Sequence, residues 1–298
     1  MARRALGVVG LALVLLLGAC GSPNRGSSSA AITVVAAENF WGSVAIQLGG
    51  SKVNVQSVVS DPNADPHEYE TSANDARAFA DARLVIINGA GYDDWAKKLL
   101  AANAASGRRV LNLADLLGKK VGDNPHFWYS PAYVQRVADS ITAQYKAIDP
   151  SGASYFDQGR ADFASALQPY SDEIANIRQK YSSTPVGSTE SIFVYLAAAL
   201  GLKLTTPEAF MGAVAEGTDP PASAVVEFQN QILGNQIKVL VYNVQTSTAV
   251  TTNIKTLAAS HHVPSVGVSE TLLPPNLTFQ DWQLKQLKTL EAALSSST

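Results

Sequence analysis

Short apolar runs alternate with amphipathic stretches along most of the chain. Residues 32–37, 53–59, 84–87 and 109–113 are compact, mostly β-branched or apolar segments that predict strands. Between the first two, residues 38–48 carry Phe40, Trp41, Val44, Ala45 and Leu48 at helical spacing. Further helices are predicted over 71–82, with Ser72 or Asn74 as cap, and over 92–105. The near-uniform apolarity of 84–87 suits a parallel strand buried on both faces. The rhythm changes after a helix at 131–148. Phe163, Leu167, Tyr170, Ile174, Ile177 and Tyr181 form one apolar stripe along a long helix from about 154 to 181, with a kink or a later start expected at Pro169. Strands at 184–187, 203–205, 239–242 and 264–268 then alternate with helices at 191–200, 223–233, 251–260 and 279–294.

This order predicts an α/β fold: two parallel-sheet α/β lobes joined by one long backbone helix, with a ligand cleft between the lobes. The N-terminal lobe is expected over 31–150, the linking helix over 151–181 and the C-terminal lobe over 182–298.

The first residues read differently. Arg3 and Arg4 precede an apolar run from Leu6 to Leu17, the length of a secretory signal core and too short to span a bilayer. The run ends in Leu17-Gly18-Ala19-Cys20, which resembles the lipobox of bacterial lipoproteins, and the chain's sole cysteine falls where that motif needs it. Residues 1–19 are therefore expected to be a lipoprotein signal peptide, Cys20 the lipidation site, and 20–30 a Gly/Ser-rich tether. Removing Arg3 and Arg4 leaves 20 basic against 25 acidic residues, a net charge of −5.

Composition narrows the function. With 46% hydrophobic and 16% charged residues in 298, the chain is not disordered, and its mild acidity offers nothing to neutralise nucleic-acid phosphates. One cysteine excludes an internal disulfide and a thiolate metal cluster. The GxxxxGK[ST] phosphate loop is absent.

Four histidines remain to be placed. His67 follows Pro66 in the segment DPNADPHEYE (61–70), and His126 follows Pro125 in DNPHFW (123–128); both segments are read as loops after strands, where open α/β sheets place ligands. A single loop histidine is ordinarily a solvated side chain; two of four with the same polar-Pro-His pattern point to a shared task. His261 and His262 are expected to face water. In the second lobe, Glu190 and Glu270 stand at the ends of two strands, although either alone would also suit a helix start.

The DPNADPHEYE and NPHFW segments carry a resemblance to the metal-binding solute-binding proteins of bacterial ABC importers, the group with a rigid helical backbone between lobes. It covers essentially the whole mature chain. GYDDW (91–95) also looks like that family and is read as structural. The resemblance implies one divalent cation held by His67, His126, Glu190 and Glu270. Two imidazoles and two carboxylates suit Mn²⁺, Zn²⁺ or Fe²⁺ rather than Cu⁺. Zinc importers of this kind often carry a His-rich loop between the two histidine motifs. Residues 68–125 hold no histidine, and the second-lobe ligand is Glu rather than His, so both departures favour manganese over zinc.

The implied function is capture of manganese or zinc by a lipid-anchored, extracytoplasmic, monomeric binding protein. It would deliver the ion to a membrane permease served by a cytoplasmic ATPase; no nucleic acid and no catalysis are involved. Ligating histidines must be neutral, so affinity is expected to fall below about pH 6.5. Three alternatives fit less well; a binder of an organic solute or metal chelate should show aromatics and Arg at its site rather than paired His and Glu. A metallohydrolase needs an open coordination position and a base, and no HExxH-type motif is present. A surface adhesin of the same fold would need binding that does not depend on metal.

Overall fold

A computed structural model describes residues 1–2, 31–61 and 69–297. Cys20 with the tether, and His67, lie outside the described residues.

The first lobe is built on four parallel strands, β1 (Ile32–Glu38), β2 (Val53–Val59), β3 (Leu84–Ile87) and β4 (Arg109–Asn112), in the order β2-β1-β3-β4. The second repeats that order with β5 (Pro185–Ser188), β6 (Lys203–Leu204), β7 (Val239–Asn243) and β8 (Ser265–Val268), arranged β6-β5-β7-β8. The fold is the two-lobed α/β architecture expected from the strand–helix rhythm.

Strand periodicity sorts side chains between layers. Val34 and Ala36 of β1 enter a central core that extends through both lobes, while Val35 and Ala37 face an outer cluster with Phe79 and Trp95. Likewise Val239 and Val241 of β7 join the central core, and Leu240 meets Phe210, Phe228 and Ile254 on the far side. Helices α1 (Asn39–Gly49), α5 (Pro131–Ile148) and α12 (Phe279–Ser296) cover the central faces.

Three helices mark where local chemistry refined the expected pattern. Helix α2 (Ala73–Asp81) starts at Ser72, whose hydroxyl accepts from Asp75 N–H while Asp75 accepts from Ser72 N–H, a closed capping box. Helix α3 (Asp94–Ala102) starts two residues after its expected beginning, because Asp93 accepts the backbone N–H groups of Asn88 and Gly89 and holds 88–93 as a turn. The long stripe is carried by two helices, α6 (Ala153–Ala166) and α7 (Gln168–Tyr181), broken at Leu167 with Pro169 in the first turn of α7. Proline removes a backbone donor, so the break falls where the kink was expected.

Short helices not foreseen are α4 (Leu113–Leu117) and α9 (Glu208–Ala215). The first changes one expectation: the segment bearing His126 does not follow β4 directly but comes after α4. The remaining helices are α8 (Val194–Leu200), α10 (Ala222–Leu233) and α11 (Ala249–Ser260). Among the described residues, no helix is long and apolar enough to cross a membrane.

Candidate metal centre

Both sheets aim the C-terminal ends of their strands at the cleft, as open α/β sheets do at ligand sites. His126 caps a short 3-10 turn at Phe127–Tyr129. Glu190 stands two residues beyond β5, and Glu270 two beyond β8. The structure brings these three together: one donor atom from each lies within 4.8 Å of the others, and all three residues are buried. His261 is partly exposed and His262 exposed, away from this cluster.

The environment of His126 fixes its tautomer. Asn124 Nδ2 donates to Ser191 O at 2.7 Å, so Asn124 presents Oδ1 to the imidazole Nδ1, also at 2.7 Å. An amide oxygen only accepts, hence Nδ1 carries the proton. The opposite nitrogen, Nε2, faces Glu190 Oε1 at 3.2 Å and, among the described residues, meets no hydrogen-bond donor. A lone pair and a carboxylate oxygen at that distance need a positive charge between them, either a proton or a metal ion. The ring is held in place by Trp128, 5.2 Å away between centroids, and by Tyr92 at 6.2 Å. Trp128 in turn stacks on Phe40 at 4.0 Å.

The two glutamates are equally constrained. Asn243 Nδ2 donates to Glu190 Oε2 and to Glu270 Oε1, each at 2.6 Å. Tyr92 donates its hydroxyl to Glu270 Oε2 at 2.6 Å. Gln245 Oε1 accepts the backbone N–H of Glu270 at 2.6 Å, which pins the main chain beneath that carboxylate. Two like charges about 4 Å apart repel by roughly 4 kcal/mol at an effective dielectric near 20. Hydrogen bonds to charged groups return roughly 1.5–3 kcal/mol each, so Asn243 about offsets the repulsion. A dication between the carboxylates reverses its sign.

Behind Tyr92 lies a second acidic pair. Glu38, at the end of β1, is fully buried and touches Asp93. Burial, then the charge of Asp93, pushes the Glu38 carboxyl well above the usual carboxylate range. Burial also raises Asp93, against the pull of the Gly89 and Asn88 N–H groups. Burial and the neighbouring Asp93 thus favour the protonated form of Glu38, and Asp93 sets the turn that presents Tyr92.

Four positioning residues escaped the sequence reading. Tyr92 and Asp93 were placed inside a helix and GYDDW was read as structural, whereas Tyr92 reaches Glu270. Asn243 closes β7 one residue beyond the expected strand end at Tyr242, and Glu38 ends β1 rather than opening the first helix. One signal was available: Glu38 and Asn243 each follow an apolar run as its last residue, the position in a parallel sheet that faces the ligand crevice.

A profile of the family described as "Zinc-uptake complex component A periplasmic" matches residues 34–293. The chain belongs to this family. It is 25% identical over 236 residues to the manganese ABC transporter substrate-binding lipoprotein PsaA of Streptococcus anginosus, covering 72% of this chain and 74% of that protein. It is 24% identical over 230 residues to the zinc-binding lipoprotein AdcA of Streptococcus pneumoniae, covering 68% of this chain and 43% of the other. Among solved structures, the solute-binding protein FpvC of Pseudomonas aeruginosa, in complex with Ni²⁺, superposes with a TM-score of 0.72 at 20% identity, over 90% of this chain and 98% of that one. The likeness in structure extends over both lobes of this zinc-uptake family member.

Proposed function

We propose that this protein captures one divalent transition-metal ion, manganese or zinc, between its lobes and delivers it to an ABC import permease. The observation that carries this reading is the pairing of His126 Nε2 with Glu190 Oε1 beside Glu270, three buried donors from both lobes converging on one point. The contact of Asn124 with the imidazole supports it, because it leaves the outward imidazole nitrogen as a lone pair. His67 of the DPNADPHEYE segment is the fourth ligand in this reading. Membership of the zinc-uptake family and the names of the relatives, which specify manganese or zinc, support the same cargo.

An interlobe cavity of about 440 Å³ adjoins the cluster, walled by Tyr92, Asn124 and Pro125 on one side and Ser191, Val194 and Met211 on the other. Asp123, Glu208 and Glu216 line it as well, so a hydrated cation approaches through an acidic passage. The protein is extracytoplasmic and held at the membrane by an acylated Cys20. Its partners are the permease and that permease's cytoplasmic ATPase.

The test is metal content and affinity of the mature chain. Protein purified without added metal, then titrated in competition with a chelator, is expected to hold one Mn²⁺ or Zn²⁺ per chain. The double variant His67→Ala, His126→Ala is expected to lose tight binding while keeping its circular dichroism spectrum. Unchanged affinity in that variant rejects the ligand assignment.

A further inference from the structure

Three of the four carboxylate oxygens of Glu190 and Glu270 accept short hydrogen bonds, two of them from Asn243. Asn243 is almost fully buried at the end of β7. Its Oδ1 accepts the Gln245 N–H at 3.0 Å, which fixes the amide so that Nδ2 points at the carboxylates. Both Nδ2–carboxylate distances are 2.6 Å, shorter than the 3.0 Å to Thr246 Oγ1, so the two hydrogens of the amide are committed to Glu190 and Glu270. Tyr92 occupies the second oxygen of Glu270. Glu190 Oε2 and both oxygens of Glu270 thus accept short hydrogen bonds, while Glu190 Oε1 faces the imidazole.

A carboxylate chelates a metal through both oxygens only when both can turn lone pairs to the ion. Charge-assisted hydrogen bonds this short compete with that for Glu190 Oε2 and Glu270 Oε1. We propose that Asn243 is a specificity-determining positioning residue: it confines Glu190 and Glu270 to one oxygen each toward the cation, lowering the coordination number and favouring Zn²⁺ over Mn²⁺. Zinc is satisfied by four ligands, each carboxylate giving a single oxygen, whereas manganese gains from additional oxygens. This rests on the metal-capture reading and sharpens it. It also runs against the manganese preference drawn from the absence of histidine in residues 68–125.

The Irving–Williams order makes zinc tighter at almost any such site, so the informative quantity is the ratio of Zn²⁺ to Mn²⁺ affinity, compared between variants. In chelator-competition titrations of the mature chain, Asn243→Ala is expected to lower that ratio at least about tenfold, through relatively tighter Mn²⁺ binding. A ratio unchanged within about twofold overturns the assignment and leaves metal capture standing. The unaltered protein gives an independent measurement that does not depend on a variant folding. Loaded with Co²⁺, it is expected to show the intense visible absorption of a four-coordinate ion. The weak bands of a six-coordinate ion overturn the proposal. Failure of the unaltered protein to bind Zn²⁺, Mn²⁺ or Co²⁺ rejects the capture reading, and this assignment with it.

Discussion

The hydroxyl of Tyr92, in the first lobe, donates a 2.6 Å hydrogen bond to Glu270 in the second. Both residues are buried, and the bond crosses the cleft beside His126. It ties lobe closure to the orientation of a candidate ligand. Tyr92→Phe removes the donor and little else. A hydrogen bond to a charged group contributes roughly 1.5–3 kcal/mol, so metal affinity is expected to fall roughly tenfold to a hundredfold, mostly through faster release. Stopped-flow chelation measures this directly; an unaltered off-rate would show that the contact does not restrain the ion.

Glu190→Gln separates the carboxylate's two tasks. The amide can donate to His126 Nε2 where the carboxylate cannot, and it removes one of two neighbouring negative charges. Loss of a partner from a buried charged cluster typically costs about 3–5 kcal/mol, so metal affinity is expected to fall by more than about a hundredfold. The metal-free protein is expected to melt at the same temperature as its parent or higher. Calorimetry of the apo form and metal titration together check both halves. A variant that melts well below its parent contradicts the repulsion argument.

Asn124 acts through the tautomer it imposes. Asn124→Ala frees the imidazole to place its proton on either nitrogen and removes the link to Ser191 across the cleft. Removing such an outer-shell partner generally lowers metal affinity by about 10–100-fold. The same range is expected here, with rescue by Asn124→Asp, which can still accept from Nδ1. Competition titration of both variants is the measurement, and equal losses in the two would argue against the tautomer role.

Glu38 predicts a pH effect on stability. Its native carboxyl is held well above 4.5, chiefly by burial and then by Asp93. Above that ordinary value the unfolded chain releases the proton and the native chain keeps it, so stability is lost as pH rises. Glu38→Gln puts an amide donor beside Asp93 and removes the titration. It is expected to match its parent near pH 4.5 and to gain on it by up to about 1.4 kcal/mol per pH unit above that, until the native carboxyl itself ionises. Chemical denaturation from acid to mildly alkaline pH checks the slope; parallel curves would mean that Glu38 is charged in the native state.

Much of this was legible in the order of residues along the chain. The alternation of apolar runs with amphipathic stretches revealed two parallel sheets, because a strand buried on both faces has few ways to look otherwise. Pro169 marked the break in the long stripe. Glu190 and Glu270 could be singled out because each follows a strand, and His126 because of its polar-Pro-His motif, although α4 intervenes between it and β4. His67 was singled out on the same grounds and lies outside the described residues. What escaped notice were groups whose importance depends on three-dimensional contact. Asn243 and Tyr92 look ordinary in sequence and become informative only when their donors are seen to converge on carboxylates from distant segments. Short helices such as α4 and α9 were missed because a turn or two of helix carries too little periodicity to separate from loop.

The break at Leu167 divides the spine into portions with different loyalties. Helix α6 packs on α1 of the first lobe, whereas α7 packs on α8 and α12 of the second, and α6 and α7 touch each other only slightly. Any swing of one lobe against the other therefore has a ready fulcrum at that joint, where a proline has already interrupted the backbone ladder. Bending at this elbow opens the jaws without unfolding either half.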